Sequence, residues 1–342
     1  MDYYSMVNNF NNMKNNTLIL KRRPVGMPNS SDFKFIEESM PPHGIGEILL
    51  KTVYVSVDPY LRGKMSGTKT PRFELNEPIS SKIIAEVIKS NNENFSKGDF
   101  VSGYLNWKEY QISNGTGIQK VNAVTAPLST YLGVLGITGL SAYFALLDIG
   151  KPKSGETLVV SAAAGAVGSI AGQIGKIMGC RVIGIVGTDE KAKLIKEKFG
   201  FDAAINYKTN PDIKTAVAKM CPDGVDIYFD NVGGVISDGV IANINKYGRI
   251  PVCGSISNYN DTEGQTSPSL LPIVVYKFLS IKGFLIADWA ERFPEGIAQL
   301  ALWLKGGKLK YSETIVKGFN KLPEAFIGIL QGKNKGKMIV KI

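Results

Sequence analysis

Two hydrophobic rhythms divide the chain. Over 17–127 the apolar positions come in short runs broken by Gly, Pro, Asn and Asp. GEILLKTVYVSVDPYLRG (46–63) predicts a long strand ending at an Asp-Pro turn. KIIAEVIKSNNENFSKGDFVSG (82–103) predicts two strands joined by a polar turn. Residues 128–150 read as helical, with small residues along one side. From Glu156 the rhythm changes, and short β-formers alternate with helical segments. TLVVSA, SIAGQIGKIMG, RVIGIVG, DEKAKLIKEKFG, AAINY, IKTAVAKM, VDIYFDNV, ISDGVIANINKYG and RIPVCGSI follow one another. Such alternation marks a parallel sheet with helices on both faces. The apolar run VVYKFLSIKGFLI (274–286) then predicts a further strand, and 291–307 a helix. The last 32 residues return to strand, helix, strand. The predicted fold class is α/β, a β-rich domain plus a doubly wound parallel-sheet domain.

Composition narrows the choice. With 342 residues, about two domains are expected. The chain is 44% hydrophobic and 20% charged, which supports a sizeable core. No uninterrupted apolar run reaches membrane-spanning length, and the N-terminus has no apolar signal core. Its six asparagines between Asn8 and Asn16 predict a disordered tail over 1–16. Three scattered cysteines, Cys180, Cys221 and Cys253, fit a reducing, cytoplasmic setting. With His43 alone of its kind, a structural zinc site lacks ligands. His43 lies in the loop PPHGIG and is not expected to be catalytic. The net charge of +10 is spread among acids, so a solvated basic surface is expected rather than a nucleic-acid site.

The candidate chemistry starts in 157-TLVVSAAAGAVGSIAGQIGKIMGC-180. A bare turn carrying Gly165 and Gly168 joins the first strand of the alternating segment to its first helix, and Gly172, one turn later, is expected to let that helix lie close to the sheet. A backbone that approaches a diphosphate tolerates no side chain in the way. A helix N-terminus offers free N–H groups and a positive dipole end. The spacing departs from GxGxxG, with Ala163 at the first glycine position. Dinucleotide binding is nonetheless expected here. Strand RVIGIVG ends without the acid that holds a ribose hydroxyl in NAD enzymes. Gly187 leaves space there, and Lys191 is placed to meet a 2′-phosphate. The expected cofactor is NADP(H). The plainer reading of Lys191 is a solvated helix lysine.

SAAAGAVGS, VDIYFDNVGG and RIPVCGSISNYN together resemble the zinc-free medium-chain reductases. The group resembled most is that of leukotriene 12-hydroxydehydrogenase, prostaglandin reductase and the alkenal double-bond reductases. YVSVDPYLRGKM (54–65) matches its DPYMR segment with Leu61 in place of Met. The stretches 131–150, 221–234 and KGFNKLPEAF (317–326) also match. The resemblance implies a GroES-like catalytic domain over 17–127, completed by 309–342. It implies a Rossmann domain over 128–308, with the active site in the cleft. Gly165, Ala166, Val167 and Gly168 would lie on the diphosphate, and Lys191 on the 2′-phosphate. Tyr207 would line the adenosine, and Asn231 the ribose. Cys253, Gly254, Ser255, Ile256, Ser257 and Tyr259 would wrap the nicotinamide half. Phe284, Leu285 and Ile286 would form the nearby strand edge, and Asn334 would reach the cofactor from the tail. Plainer readings remain for some: Asn231 as a turn residue, Cys253 as a small buried hydrophobe, and Phe284 as core.

The reaction follows from the donors. A hydride acceptor activated without metal must already be electron-poor, as an α,β-unsaturated aldehyde or ketone is. Hydride at its β-carbon leaves negative charge on the carbonyl oxygen, which needs hydroxyl donors. Tyr259 is the first candidate and Tyr60 the second. The expected activity is metal-free NADPH-dependent C=C reduction. Quinone reduction and non-enzymatic NADPH binding are the alternatives. The run 274–286, read as an apolar edge strand, must be covered or paired, and the resemblance implies that such edges pair across a two-fold axis, so a homodimer is expected.

Overall fold

The computed structural model describes residues 14–66, 72–264 and 268–342. The chain begins with strands β1 (Lys14–Leu20) and β2 (Phe33–Ser39), which pair antiparallel. Then come β3 (Ile48–Ser56), the short helix α1 (Leu61–Met65), β4 (Ser80–Ser90), β5 (Phe100–Asn106), β6 (Tyr110–Ser113) and β7 (Ile118–Val121). Helix α2 (Ile137–Phe144) leads into a βα alternation of β8 (Thr157–Val160), α3 (Ala166–Ile177), β9 (Arg181–Val186), α4 (Asp189–Glu197) and β10 (Ala203–Asn206). It continues with α5 (Ile213–Met220), β11 (Val225–Phe229), α6 (Gly234–Ile241), β12 (Ile244–Val252), α7 (Leu271–Lys277), β13 (Ser280–Gly283) and α8 (Phe293–Lys305). The chain closes with β14 (Glu313–Lys317), α9 (Leu322–Leu330) and β15 (Lys337–Lys341).

These elements form two units. One holds the residues up to Leu132 with Ile315–Lys333 and Met338–Ile342; the other holds Gly133–Thr314 with Asn334–Lys337. The first is built on a seven-stranded sheet in the order β14-β15-β3-β4-β5-β7, with β6 also paired to β3. Its core packs Leu18, Leu50, Ile83, Trp107 and Phe326, all fully buried. The Trp107 indole N–H donates to Ser81 Oγ at 2.8 Å, which meets its need for a partner inside that core.

The second unit is a six-stranded sheet in the order β10-β9-β8-β11-β12-β13, with every neighbouring pair parallel. That order reverses direction between β8 and β11, so a crevice opens at their C-terminal ends. Strand β8 is buried at all four positions, as a central parallel strand must be.

Four sequence expectations are corrected. Strand β1 begins at Lys14, so 14–16 are not tail; the remainder of that stretch, 1–13, lies outside the described residues. Asparagine composition hid the strand, because Asn15 exchanges two 2.9 Å hydrogen bonds with the backbone of Tyr110. Second, 274–286 is not one strand. Pro272 sits in the first turn of α7, where its fixed φ helps a helix start, and Phe278 ends α7 with φ 52°. Only Ser280–Gly283 form the strand, and Ile286 opens a 3-10 turn. Third, the helix expected over 236–248 stops at Ile241, and Ile244 already belongs to β12. Its polar stretch is a bulge in which Tyr247 takes φ 63°. Fourth, the glycine that brings α3 onto the sheet is Gly175, where a Cβ would stand 2.4 Å from Leu158.

Gly172 instead makes room for Phe201, whose ring tip would lie 1.9 Å from an added Cβ. Gly172→Val is therefore expected to destabilise the second unit by about 1–3 kcal/mol through overpacking. Urea unfolding would show it as a lower midpoint at unchanged slope.

Candidate active site

The crevice is built first from the turn after β8. Ala162 takes the left-handed region at φ 49°, uncommon for a residue with a Cβ. Its carbonyl accepts from Gly165 N–H at 2.9 Å, which closes the turn. A Cβ on Gly168 would stand 2.5 Å from that same carbonyl, so only glycine lets the first turn of α3 fold back here. Gly165 is the N-cap, and no side chain caps the helix. The first amides of this twelve-residue helix, at Ala166, Val167 and Gly168, therefore have no side-chain acceptor. The C-terminal return runs beside them. Gly336 N–H donates to Ala164 C=O at 2.7 Å, and Gly336 bridges to Gly165. Asn334 is buried beside this turn, with its amide donating to Gly336 C=O at 2.7 Å.

The second wall follows β9. Val186 ends the strand, and Thr188 caps α4 by accepting from Lys191 N–H at 3.2 Å. Asp189 and Glu190 fill the first helical turn. Tyr207 packs its ring over Gly187, where a Cβ would be 3.0 Å from the ring and its hydroxyl. Lys191 holds an ammonium below the usual lysine range, chiefly through burial and then through the charges of Lys208 and Lys335. Lys335 is ion-paired to Glu190. Lys191 thus lies within the electrostatic reach of two further lysines, with Glu190 acting in the opposite direction, and such a grouping suits a phosphate. Lys208 and Lys335 were missed in the sequence although they lie in NYK and GKNKGK, next to residues that were singled out.

The third wall comes from the ends of β11 and β12. Asn231 joins β11 to β8 by donating from its backbone to Ser161 Oγ at 2.9 Å and from its side chain to Ser161 C=O at 2.8 Å. Cys253 N–H donates to Asp230 C=O at 2.7 Å. Burial, with the Asp230 carboxylate nearby, pushes the Cys253 thiol up to about 12, so it stays a neutral thiol. Gly254 and Ser255 lead into a 3-10 turn over Ile256–Asn258, and Ser257 Oγ donates to Val232 C=O at 2.6 Å. Tyr259 closes this loop. A Cβ on Gly254 would lie 3.1 Å from the Tyr259 hydroxyl, so the phenol rests directly above that glycine. Burial raises the Tyr259 pKa, the Ser255 backbone opposes the rise, and the hydroxyl stays protonated. Val252 pairs with Gly283, so Phe284 leaves the sheet at the same end as Cys253. Phe284 packs edge-on to Trp289 at 5.5 Å, while Leu285 is exposed and Ile286 opens the following turn.

In the other unit, Tyr60 precedes α1. Its hydroxyl is buried and makes no hydrogen bond of standard geometry. Burial and the Asp58 carboxylate raise its pKa, with Tyr104 beside it.

These donor sets fit a phosphorylated dinucleotide: uncapped helix amides for a diphosphate and a lysine cluster for a further phosphate. A metal is not matched in this way. Among the described residues no three His, Cys, Asp or Glu side chains converge, and the cysteines and His43 stand apart. No helix among those residues is long and apolar enough to cross a membrane.

Comparison with known proteins agrees with this geometry. Residues 16–121 match the family described as N-terminal domain of oxidoreductase, and residues 166–302 match the family described as zinc-binding dehydrogenase. A putative NADP-dependent oxidoreductase, YfmJ of Bacillus subtilis, is 51% identical over 94% of this chain and 96% of its own. The NADPH-dependent curcumin reductase of Escherichia coli is 41% identical over 96% of this chain and 97% of its own. The crystal structure of CurA in complex with NADPH from Vibrio vulnificus superposes with a TM-score of 0.91 at 42% identity, covering 95% of this chain and 98% of that one.

Proposed function

Since the chain belongs to the zinc-independent medium-chain dehydrogenase/reductase family, in the branch of the prostaglandin, curcumin and alkenal reductases, we propose that it reduces the C=C bond of α,β-unsaturated aldehydes and ketones with NADPH. The observation that carries this reading is an uncapped α3 N-terminus after β8 together with the lysines around Lys191 after the neighbouring strand β9. NADPH, when bound, supplies the hydride that a conjugated carbonyl accepts at its β-carbon.

The chain's own residues do the rest. Amides of Ala166, Val167 and Gly168 bind the diphosphate, and the lysine cluster binds the 2′-phosphate. Tyr207, Asn231 and Asn334 border the cofactor's path. The loop from Cys253 to Ser257 and the segment Phe284, Leu285 and Ile286 border its nicotinamide end. Tyr259, held protonated, donates a hydrogen bond to the carbonyl oxygen as negative charge builds there. Tyr60 is proposed as a second donor lining the substrate pocket. Water then protonates the α-carbon, so no histidine is required.

The test is NADPH oxidation with a medium-length 2-alkenal, with and without a chelator. Turnover unaffected by the chelator supports the reading. No turnover, with NADPH still bound, would shift it to quinones and then to a binding protein.

We further propose a homodimer. Strand β13 is exposed at all four positions and, among the described residues, ends the sheet with an unpaired edge. Val275, Tyr276, Phe278 and Leu285 add exposed apolar surface around it. Light scattering is expected to give twice the chain mass; a single-chain mass at working concentration would refute it.

A further inference from the structure

The turn after β11 holds a carboxylate for which the reduction chemistry has no direct use. Asp230 is 6% exposed. Its Oδ1 accepts from the Tyr228 hydroxyl at 2.9 Å, Ser161 Oγ at 3.3 Å, Val232 N–H at 2.9 Å and Gly233 N–H at 3.0 Å. Its Oδ2 accepts from Ser237 Oγ at 2.5 Å. No lysine, arginine or histidine pairs with it among the described residues. A buried carboxylate without a cation is costly unless hydrogen bonds satisfy it, and here five do.

The Asp230 backbone and the turn beside it are fastened to the reduction loop. Its backbone C=O accepts from Cys253 N–H at 2.7 Å and Gly254 N–H at 3.3 Å. The turn its side chain shapes offers Val232 C=O to Ser257, from N–H at 3.0 Å and from Oγ at 2.6 Å. Tyr259 N–H in turn donates to Ile256 C=O at 3.3 Å. The path from Asp230 to the Tyr259 backbone is thus a short series of hydrogen bonds and adjoining peptide links.

We propose that Asp230 is a positioning residue for the reduction: it holds the 230–233 turn so that the Cys253–Tyr259 loop presents the Tyr259 hydroxyl to the substrate oxygen. Tyr228, Ser161 and Ser237 are its clamps. This inference rests on the reductase reading and assigns it a residue that touches neither cofactor nor substrate.

Asp230→Ala, Asp230→Asn and Ser237→Ala in the full chain test it, each with and without Tyr259→Phe. In Asp230→Ala the amides of Cys253, Gly254 and Ser257 are expected to exchange roughly tenfold faster or more. Its kcat with a 2-alkenal falls roughly tenfold, and adding Tyr259→Phe then costs less than about threefold, because the two act as a unit. Asp230→Asn is expected to recover most of both. Its Oδ1 still accepts from Val232 and Gly233, and its amide can donate to Ser237 Oγ. If Asp230→Ala does not fold, Ser237→Ala carries the same two readouts in weaker form. A lower melting temperature with unchanged exchange over 253–257 and an undiminished Tyr259→Phe penalty would overturn the proposal. If the wild type reduces no enal, the reductase reading fails instead, and the exchange data alone then decide whether Asp230 holds the loop.

Discussion

Lys191→Ala is expected to raise KM for NADPH about thirtyfold while moving KM for NADH less than about twofold. A hydrogen bond to a charged group contributes about 1.5–3 kcal/mol, and 2 kcal/mol is roughly thirtyfold in affinity. The loss is specific because NADH lacks the phosphate that would neutralise the cluster. Lys208 and Lys335 remain and hold the penalty to that range. The same cluster sets a pH dependence. Burial and two neighbouring lysines depress the Lys191 pKa, and only its protonated form attracts the phosphate. NADPH affinity should therefore decline as pH rises through that depressed value, earlier than an ordinary lysine would allow. In Lys191→Ala this decline should be smaller. An unchanged KM for both cofactors would show that Lys191 is a solvated helix lysine.

Tyr259→Phe is expected to lower kcat with a 2-alkenal about thirtyfold at nearly unchanged KM for NADPH. Removing one oxyanion donor costs roughly 2.7–4 kcal/mol where the donor is rigid. Tyr259 ends a loop rather than a helix or strand, so about 2 kcal/mol is the appropriate figure. Because its pKa is raised, the hydroxyl remains a donor across the neutral range, and loss of the hydroxyl cannot be mimicked by modest alkaline pH. A fall in NADPH affinity with unchanged kcat would instead make Tyr259 part of the cofactor wall.

Much of this was legible in the sequence, for physical reasons that differ by element. Parallel strands buried on both faces give apolar runs such as TLVV and RVIGIV, so β8 and β9 stood out. The bare turn at Gly165 and Gly168 was visible because a missing Cβ is written in the residue itself. Where local composition and tertiary context disagree, the reading failed. The valines of 274–275 look like a strand, but Pro272 and the left-handed Phe278 make a helix there. Asn15 and Asn16 look like tail, but their side chains pair with Tyr110 and Glu109, 95 and 93 residues away. Asp230 escaped notice for the same reason. Its partners Ser161 and Ser237 are remote or unremarkable in sequence, and only folding brings them to one carboxylate.

The central claim is hydride delivery to the β-carbon of a conjugated carbonyl. Its most direct measurement is the product formed from a 2-alkenal with NADPH deuterated at the transferable position, read by mass spectrometry and NMR. The account predicts a saturated aldehyde with one deuterium on the β-carbon. An allylic alcohol labelled at the carbonyl carbon would contradict it.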